Sequence, residues 1–236
     1  MKFAVALLFA LALHAADPVR VRLVTGGHNH DPEFYLPFIN EPRMAVSVEP
    51  HPKAYQGNPK NIDVLVLYDM TKVSDPKTRE WLKAYVESGK GLVVLHHAIC
   101  SFEDWVWWGD EVVGARYLNT PSRGLPPSTF FHDLELDMQV VKKHPVTSGT
   151  DNFHIHDETY KGMWFAKNLD LLITTKHEKG DGPIAWLGPS KTNRVVVLQG
   201  GHDKQAHLNP NWQRLVKNAI LWAAMPPPGA ASTTPR

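Results

Sequence analysis

A single cysteine, Cys100, stands among 236 residues. No intramolecular disulfide can form, so the fold rests on a packed core rather than on covalent staples. Charge of one sign is not in excess either: 25 Lys and Arg face 24 Asp and Glu, a net charge of +1. With no long basic run, nucleic acid is excluded as the main partner, because phosphate binding needs a concentrated basic surface. No internal repeat appears. No apolar run is long enough to span a membrane; the one at residues 3–13 is too short.

That short run has another meaning. "MKFAVALLFALALHAAD" has one early lysine, then the apolar stretch, then small residues. This is the layout of a secretory signal peptide cleaved after Ala15 or Ala16. The expected organisation is a signal peptide over residues 1–16, one domain over 17–225 and a disordered tail over 226–236. The tail, "PPPGAASTTPR", cannot build a core. An exported chain without disulfides suits a periplasmic or secreted bacterial protein, with no membrane association after cleavage. Nothing in the residues sets an oligomeric state.

What is plentiful is histidine (13) and tryptophan (8). Imidazoles suit acid–base work or metals, and indoles stack on sugars. Apolar runs alternate with helical patterns. "VRVRLVTG", "MAVSVEP", "IDVLVLYD", "GLVVLHH", "LDLLITT", "PIAWLG" and "RVVVLQGG" read as strands. "PEFYLPFIN" reads as a short helix. Asp75 and Pro76 open a helix with Trp81, Leu82, Tyr85 and Val86 on one face. Asn209 and Pro210 open another, with Trp212, Leu215, Val216, Ala219 and Ile220 on one side. This alternation implies a mainly parallel sheet with helices on both faces, an α/β three-layer sandwich. Residues 114–161, rich in Pro, Asp and His, read as an insertion beside the sheet.

In open α/β sheets ligands bind outside the carboxyl ends of the strands. Strand one is followed by "TGGHNHD", which carries His28, His30 and Asp31; the third predicted strand ends in Asp69. "GLVVL" runs into His96 and His97, and "RVVVLQ" into Gly200, Gly201, His202 and Asp203. Three strands therefore end in histidine, and His30, His96 and His202 are expected to converge at one cleft.

"TGGHNHD", "LVLYD", "GKGLVVLHHA", "WVWWGDEVVGARY", "HPVTSG", "FHIHDETY" and "GGHD", in this order, resemble the ThuA-like (trehalose utilisation) family of the class I glutamine amidotransferase-like superfamily. The resemblance spans residues 19–225 and implies a flavodoxin-like fold. It places His96 where true amidotransferases present a cysteine nucleophile. Cys100 falls outside that elbow, as a buried small residue, so glutaminase chemistry is not expected. The resemblance further points to His30 and Asp31 rather than His28, and to Asp157, Glu158 and Tyr160. It implies a carbohydrate as the small-molecule partner.

The expected centre is His30, His96, Glu158 and His202. Asp31, Asp69, His97, Trp107, Trp108, Asp157, Tyr160 and Asp203 are the candidates for substrate contact. No cofactor is certain; a divalent metal such as zinc on His30, His96 and His202 is the candidate. Trp105, Trp107 and Trp108 cannot all share one helix face, so one of them is expected to line the cleft. His154 and His156 form a His-x-His pair that reads either as a metal pair or as a polar strand edge. The expected activity is hydrolysis or elimination on a glycoside or 3-keto sugar. The alternatives are a carbohydrate-binding protein without catalysis and a metal-dependent hydrolase of another small molecule.

Overall fold

The computed structural model describes residues 17–226. The predicted signal peptide, and the predicted tail beyond Pro226, lie outside the described residues. The strands are β1 (Val19–Gly26), β2 (Met44–Pro50), β3 (Val64–Asp69), β4 (Gly91–Leu95), β5 (Ala115–Arg116), β6 (Thr129–Val140), β7 (Phe153–Lys161), β8 (Trp164–Phe165), β9 (Asp170–Thr175), β10 (Pro183–Leu187) and β11 (Val195–Leu198). The helices are α1 (Pro76–Glu87), α2 (Lys204–Leu208) and α3 (Pro210–Ala223).

Nine strands form one sheet in the order β2-β1-β3-β4-β11-β10-β9-β6-β7. From β2 to β11 the pairing is parallel. From β11 to β7 it is antiparallel. The central parallel strands β3, β4 and β11 read as continuous apolar runs covered on both faces, and every residue of them is buried. Alternate residues go to opposite layers. Val64, Val66, Val93 and Leu95 pack with Leu215, Val216 and Ile220 of α3. Leu65, Leu67, Leu92 and Val94 pack with Trp81, Leu82 and Tyr85 of α1. Helix, sheet and helix make the three layers of a flavodoxin-like α/β fold.

The helix starts follow their caps. The Asp75 carboxylate accepts from the backbone N–H groups of Lys77 and Thr78, and the Asn209 side chain accepts from Asn211. "PEFYLPFIN" forms only a 3-10 turn, Pro32–Tyr35, which delivers Phe34 to the core. Residues 114–161 are not an insertion beside the sheet: β6 and β7 extend it. In β6 only Leu134, Leu136 and Met138 are buried, alternating with polar residues. That half-buried pattern, split by a bulge, hid the strand behind its polar face. Among the described residues no helix is long and apolar enough to cross a membrane.

Candidate functional site

The site sits at the carboxyl edge of the parallel strands and begins at the end of β4. His96 there has φ 45°, a left-handed conformation uncommon for a residue with a side chain. The chain turns sharply into the 3-10 stretch His96–Cys100. The imidazole is buried and its Nδ1 lies 2.8 Å from the Gln199 carbonyl oxygen. A carbonyl only accepts, so Nδ1 carries the proton and Nε2 holds a lone pair aimed into the cleft. Burial, then the neighbouring His97 and His202, hold this ring well below the usual histidine range, so it is neutral.

The end of β11 supplies the partner. His202 Nδ1 stands 3.0 Å from His96 Nε2. Two glycines precede His202 for a steric reason. A Cβ on Gly201, at φ 109°, would lie 2.5 Å from the Trp212 indole nitrogen, and one on Gly200 would lie 2.7 Å from an Asp157 oxygen. Asp157 clasps the turn by accepting the backbone N–H groups of Gly201 (2.7 Å) and His202 (3.0 Å), besides that of Glu158 (2.8 Å). Burial pushes its carboxyl up to about 6.

The carboxylate comes from β7. Glu158 is buried, with its oxygens 3.4 Å from His96 Nε2, 3.6 Å from His202 Nδ1 and 2.6 Å from His132 Nδ1. Burial, then the charge of Asp157, pushes it up to about 8. A carboxyl raised in this way and in short contact with an imidazole is an arrangement suited to general acid–base work. Tyr160, also buried, stacks its ring on His96 and brings its hydroxyl within 3.5 Å of both ring nitrogens. It forms the back wall. Burial pushes the Cys100 thiol, beside Tyr160, up to about 12, which leaves no thiolate for nucleophilic attack.

Two imidazoles at this site were not singled out from the sequence. His132 reaches Glu158 because β6 bulges between Phe131 and Leu134, with Asp133 at φ 54°. The only sequence signal was the break in the apolar alternation at "FFHDLEL". His28, not His30, reaches the centre from the β1 turn. Its ring centroid lies 4.5 Å from that of His97 and 5.7 Å from that of His202. His30 instead donates to or accepts from the Tyr35 hydroxyl at 2.8 Å and packs edge-on against Phe34 and Tyr68. At this site His96, Glu158 and His202 form a set whose ligand atoms all lie within 4.8 Å of one another, with Glu158 in the place expected for His30.

Other candidates are held by the fold rather than by the cleft. Asp157 clasps the glycine turn. Asp203 caps α2 through the N–H groups of Gln205 and Ala206. Asp31 precedes the 3-10 turn and makes no side-chain capping bond, so its carboxylate is uncommitted. His97 is buried, pushed down to about 3 by burial, and tied to the Tyr68 carbonyl at 3.1 Å. Trp108 is 2% exposed and packs on Phe102 and Trp105, so no ring face is free for a sugar. Trp107, half-buried, leans on Trp105. His154 pairs with Glu135 and Asp137 at the exposed sheet edge, while His156 groups with Asp133 and Asp203. A groove of about 1370 Å³ lies at the opposite edge of the sheet, around Arg43, Lys142, His144 and Trp222. It shares no residue with the histidine centre.

Asp69 is fully buried, which removes it from substrate contact. It accepts from the Tyr55 hydroxyl at 2.7 Å and faces His51 Nδ1 at 3.3 Å. Asp69 raises the His51 pKa above its ordinary 6.5. A raised histidine stabilises the fold fully below its unfolded value, and that contribution is lost as pH climbs through the folded value. The melting-temperature gap between the native protein and His51→Gln should be widest near about pH 6 and close toward about pH 9. A gap that does not narrow would show that the protonated ring contributes nothing.

The decisive comparison is with family models. The model for ThuA, described as trehalose utilisation, matches residues 20–223. The chain belongs to the ThuA family. A protein described as ThuA-like from Parabacteroides merdae superposes with a TM-score of 0.78 at 20% identity, over 89% of this chain and 91% of that one. A second, from Bacteroides uniformis, gives 0.64 at 16%, over 91% and 95%. A protein from Thermoplasma acidophilum described as a GMP synthase subunit gives 0.55 at 9%, over 89% and 96%. At such identities the likeness is one of fold. No curated protein matches the chain.

Proposed function

We propose that this ThuA-family chain is an exported enzyme that acts on a glycoside or 3-keto sugar, without glutaminase activity. The observation that carries the reading is Glu158, a buried carboxyl with imidazole nitrogens of His132, His96 and His202 at 2.6, 3.4 and 3.6 Å. Buried titratable groups gathered at the carboxyl edge of a parallel sheet mark a place for proton transfer.

On a 3-keto glycoside the step runs as follows. A base of the cluster removes the proton from the carbon between the keto group and the glycosidic carbon. The electron pair forms an enolate, and its collapse breaks the bond to the glycosidic oxygen. The departing oxygen takes a proton from a protonated member of the cluster. One proton enters and one leaves, so the cluster returns to its starting state. An imidazole at the elbow forms no stable acyl intermediate with an amide, which is the argument against glutaminase chemistry. The layout of residues 1–16 supports export to the periplasm or beyond.

One preparation tests both parts. The full chain is expressed in a bacterium, and the protein in the periplasmic fraction is weighed and assayed. Its amino terminus should lie at Ala16 or Asp17, and it should turn over a 3-keto glycoside but not the parent sugar. Intact Met1 in that fraction refutes export. Binding of both sugars with no turnover refutes the enzyme and leaves a carbohydrate-binding protein.

A further inference from the structure

We propose that His96 Nε2, His202 Nδ1 and one oxygen of Glu158 hold a divalent first-row transition metal ion, with an open coordination position facing the cleft. This inference deepens the proposed function by adding a cofactor at the same site, and it rests on that reading only for the ion's catalytic use.

Geometry comes first. His96 Nε2 lies 3.0 Å from His202 Nδ1 and 3.4 Å from Glu158 Oε1, His202 Nδ1 lies 3.6 Å from Glu158 Oε2, and one ligand atom of each residue lies within 4.8 Å of the other two. Bonds of 2.0–2.1 Å at tetrahedral angles place ligand atoms about 3.3 Å apart. The cluster is close to the size of one face of a metal tetrahedron, and three ligands on such a face leave the fourth corner free, as catalytic sites do.

The second argument is the tautomer. His96 gives its Nδ1 proton to the Gln199 carbonyl, which leaves Nε2 as a lone pair. A backbone carbonyl behind the far nitrogen is the usual support of a metal-bound histidine. Glu158 has an equivalent support in His132 at 2.6 Å.

Charge supplies the third. Among the described residues no lysine or arginine pairs with Glu158; its close partners are histidines. In its ionised form this buried carboxyl calls for a cation, which a divalent ion supplies. The donor set of two imidazoles and one carboxylate selects zinc, iron, cobalt or manganese over magnesium and calcium, which prefer all-oxygen cages.

Such an ion would polarise a carbonyl oxygen at its open corner. His132, 43% exposed, would then remain on the cleft side to move protons.

The test uses chelator-treated full-length protein titrated with zinc and, separately, cobalt and magnesium, read by equilibrium dialysis and by melting temperature. One equivalent of zinc or cobalt should bind and raise the melting temperature, and magnesium should not. Affinity should fall more than about 100-fold in both His202→Ala and Glu158→Gln, since losing a ligand exceeds the 10–100-fold cost of losing a supporting group. Two variants are needed because either alone could disturb the turn it sits in. His156→Ala, from the neighbouring Asp133–His156–Asp203 group, should bind zinc as the native protein does. Absence of zinc and cobalt binding overturns the proposal, and so does loss of binding in His156→Ala with retention in the other two. The sugar reading fails separately: metal bound with no sugar turned over sinks that reading alone, and turnover by metal-free protein sinks only the ion's catalytic use.

Discussion

Glu158→Gln should lower turnover of a 3-keto glycoside by about 10³-fold, within the range that a general acid or base contributes. Glutamine fills the same volume and can still hydrogen-bond to His132 and His202. It cannot take or release a proton, and its amide oxygen is a weak metal ligand. Either role of the carboxylate is therefore lost. The fold should not suffer. Glu158 is 5% exposed, and burial works against its ionised form. A neutral amide removes that cost, so the melting temperature should stay level or rise. Steady-state kinetics beside a thermal melt separates the two effects. Turnover within tenfold of the native protein would take Glu158 out of the chemistry and leave the imidazoles to carry it.

The centre of the parallel half, β3, β4 and β11, was legible because these strands are buried on both faces and write themselves as apolar runs. The ends of β4 and β11 then located His96 and His202 without any structure. Glu158 was legible only through the family resemblance, since no apolar run leads to it. Where the reading went astray, the backbone had consumed the polar residue. Asp69 ends β3 and Asp203 follows β11, as ligand-binding carboxylates would, and Asp157 lies mid-strand in β7 beside Glu158. Asp157 and Asp203 serve backbone N–H groups of the turns, and Asp69 serves the Tyr55 hydroxyl. The choice of His30 over His28 failed for a different reason. In "TGGHNHD" the chain leaves the strand through two glycines at positive φ, Gly26 and Gly27. Once the backbone takes that path, strand alternation no longer says which imidazole faces the cleft. His132 was hidden by the bulge, because a two-residue period carries no record of an inserted residue.

Asp157→Ala should cost more than about 3 kcal/mol, because it strips acceptors from three backbone N–H groups at 1–3 kcal/mol each. The side chain is 2% exposed, so water has little access to replace it. Burial pushes the carboxyl up to about 6 even though three donors pull it down, so part of its binding strength already goes to desolvation. That partial offset does not help the variant. The N–H groups of Gly201 and His202 remain where they are, and the alanine methyl accepts nothing. For a chain of this size each kcal/mol corresponds to about 2–4 °C, so the melting temperature should fall by roughly 6 °C or more. Asp157→Asn sorts the bonds further. In the native protein one oxygen accepts from Gly201, and the other from His202 and Glu158. The asparagine oxygen can replace only one of these, and its NH₂ then faces an N–H donor. Asparagine should fall between the native protein and alanine, with faster hydrogen exchange at whichever amides lose their acceptor. A drop below about 2 °C for alanine would mean that water enters the turn and takes over the three bonds. In that outcome the Gly200–Gly201–His202 turn holds its shape through the Trp212 contact alone, and His202 keeps its place without the carboxylate.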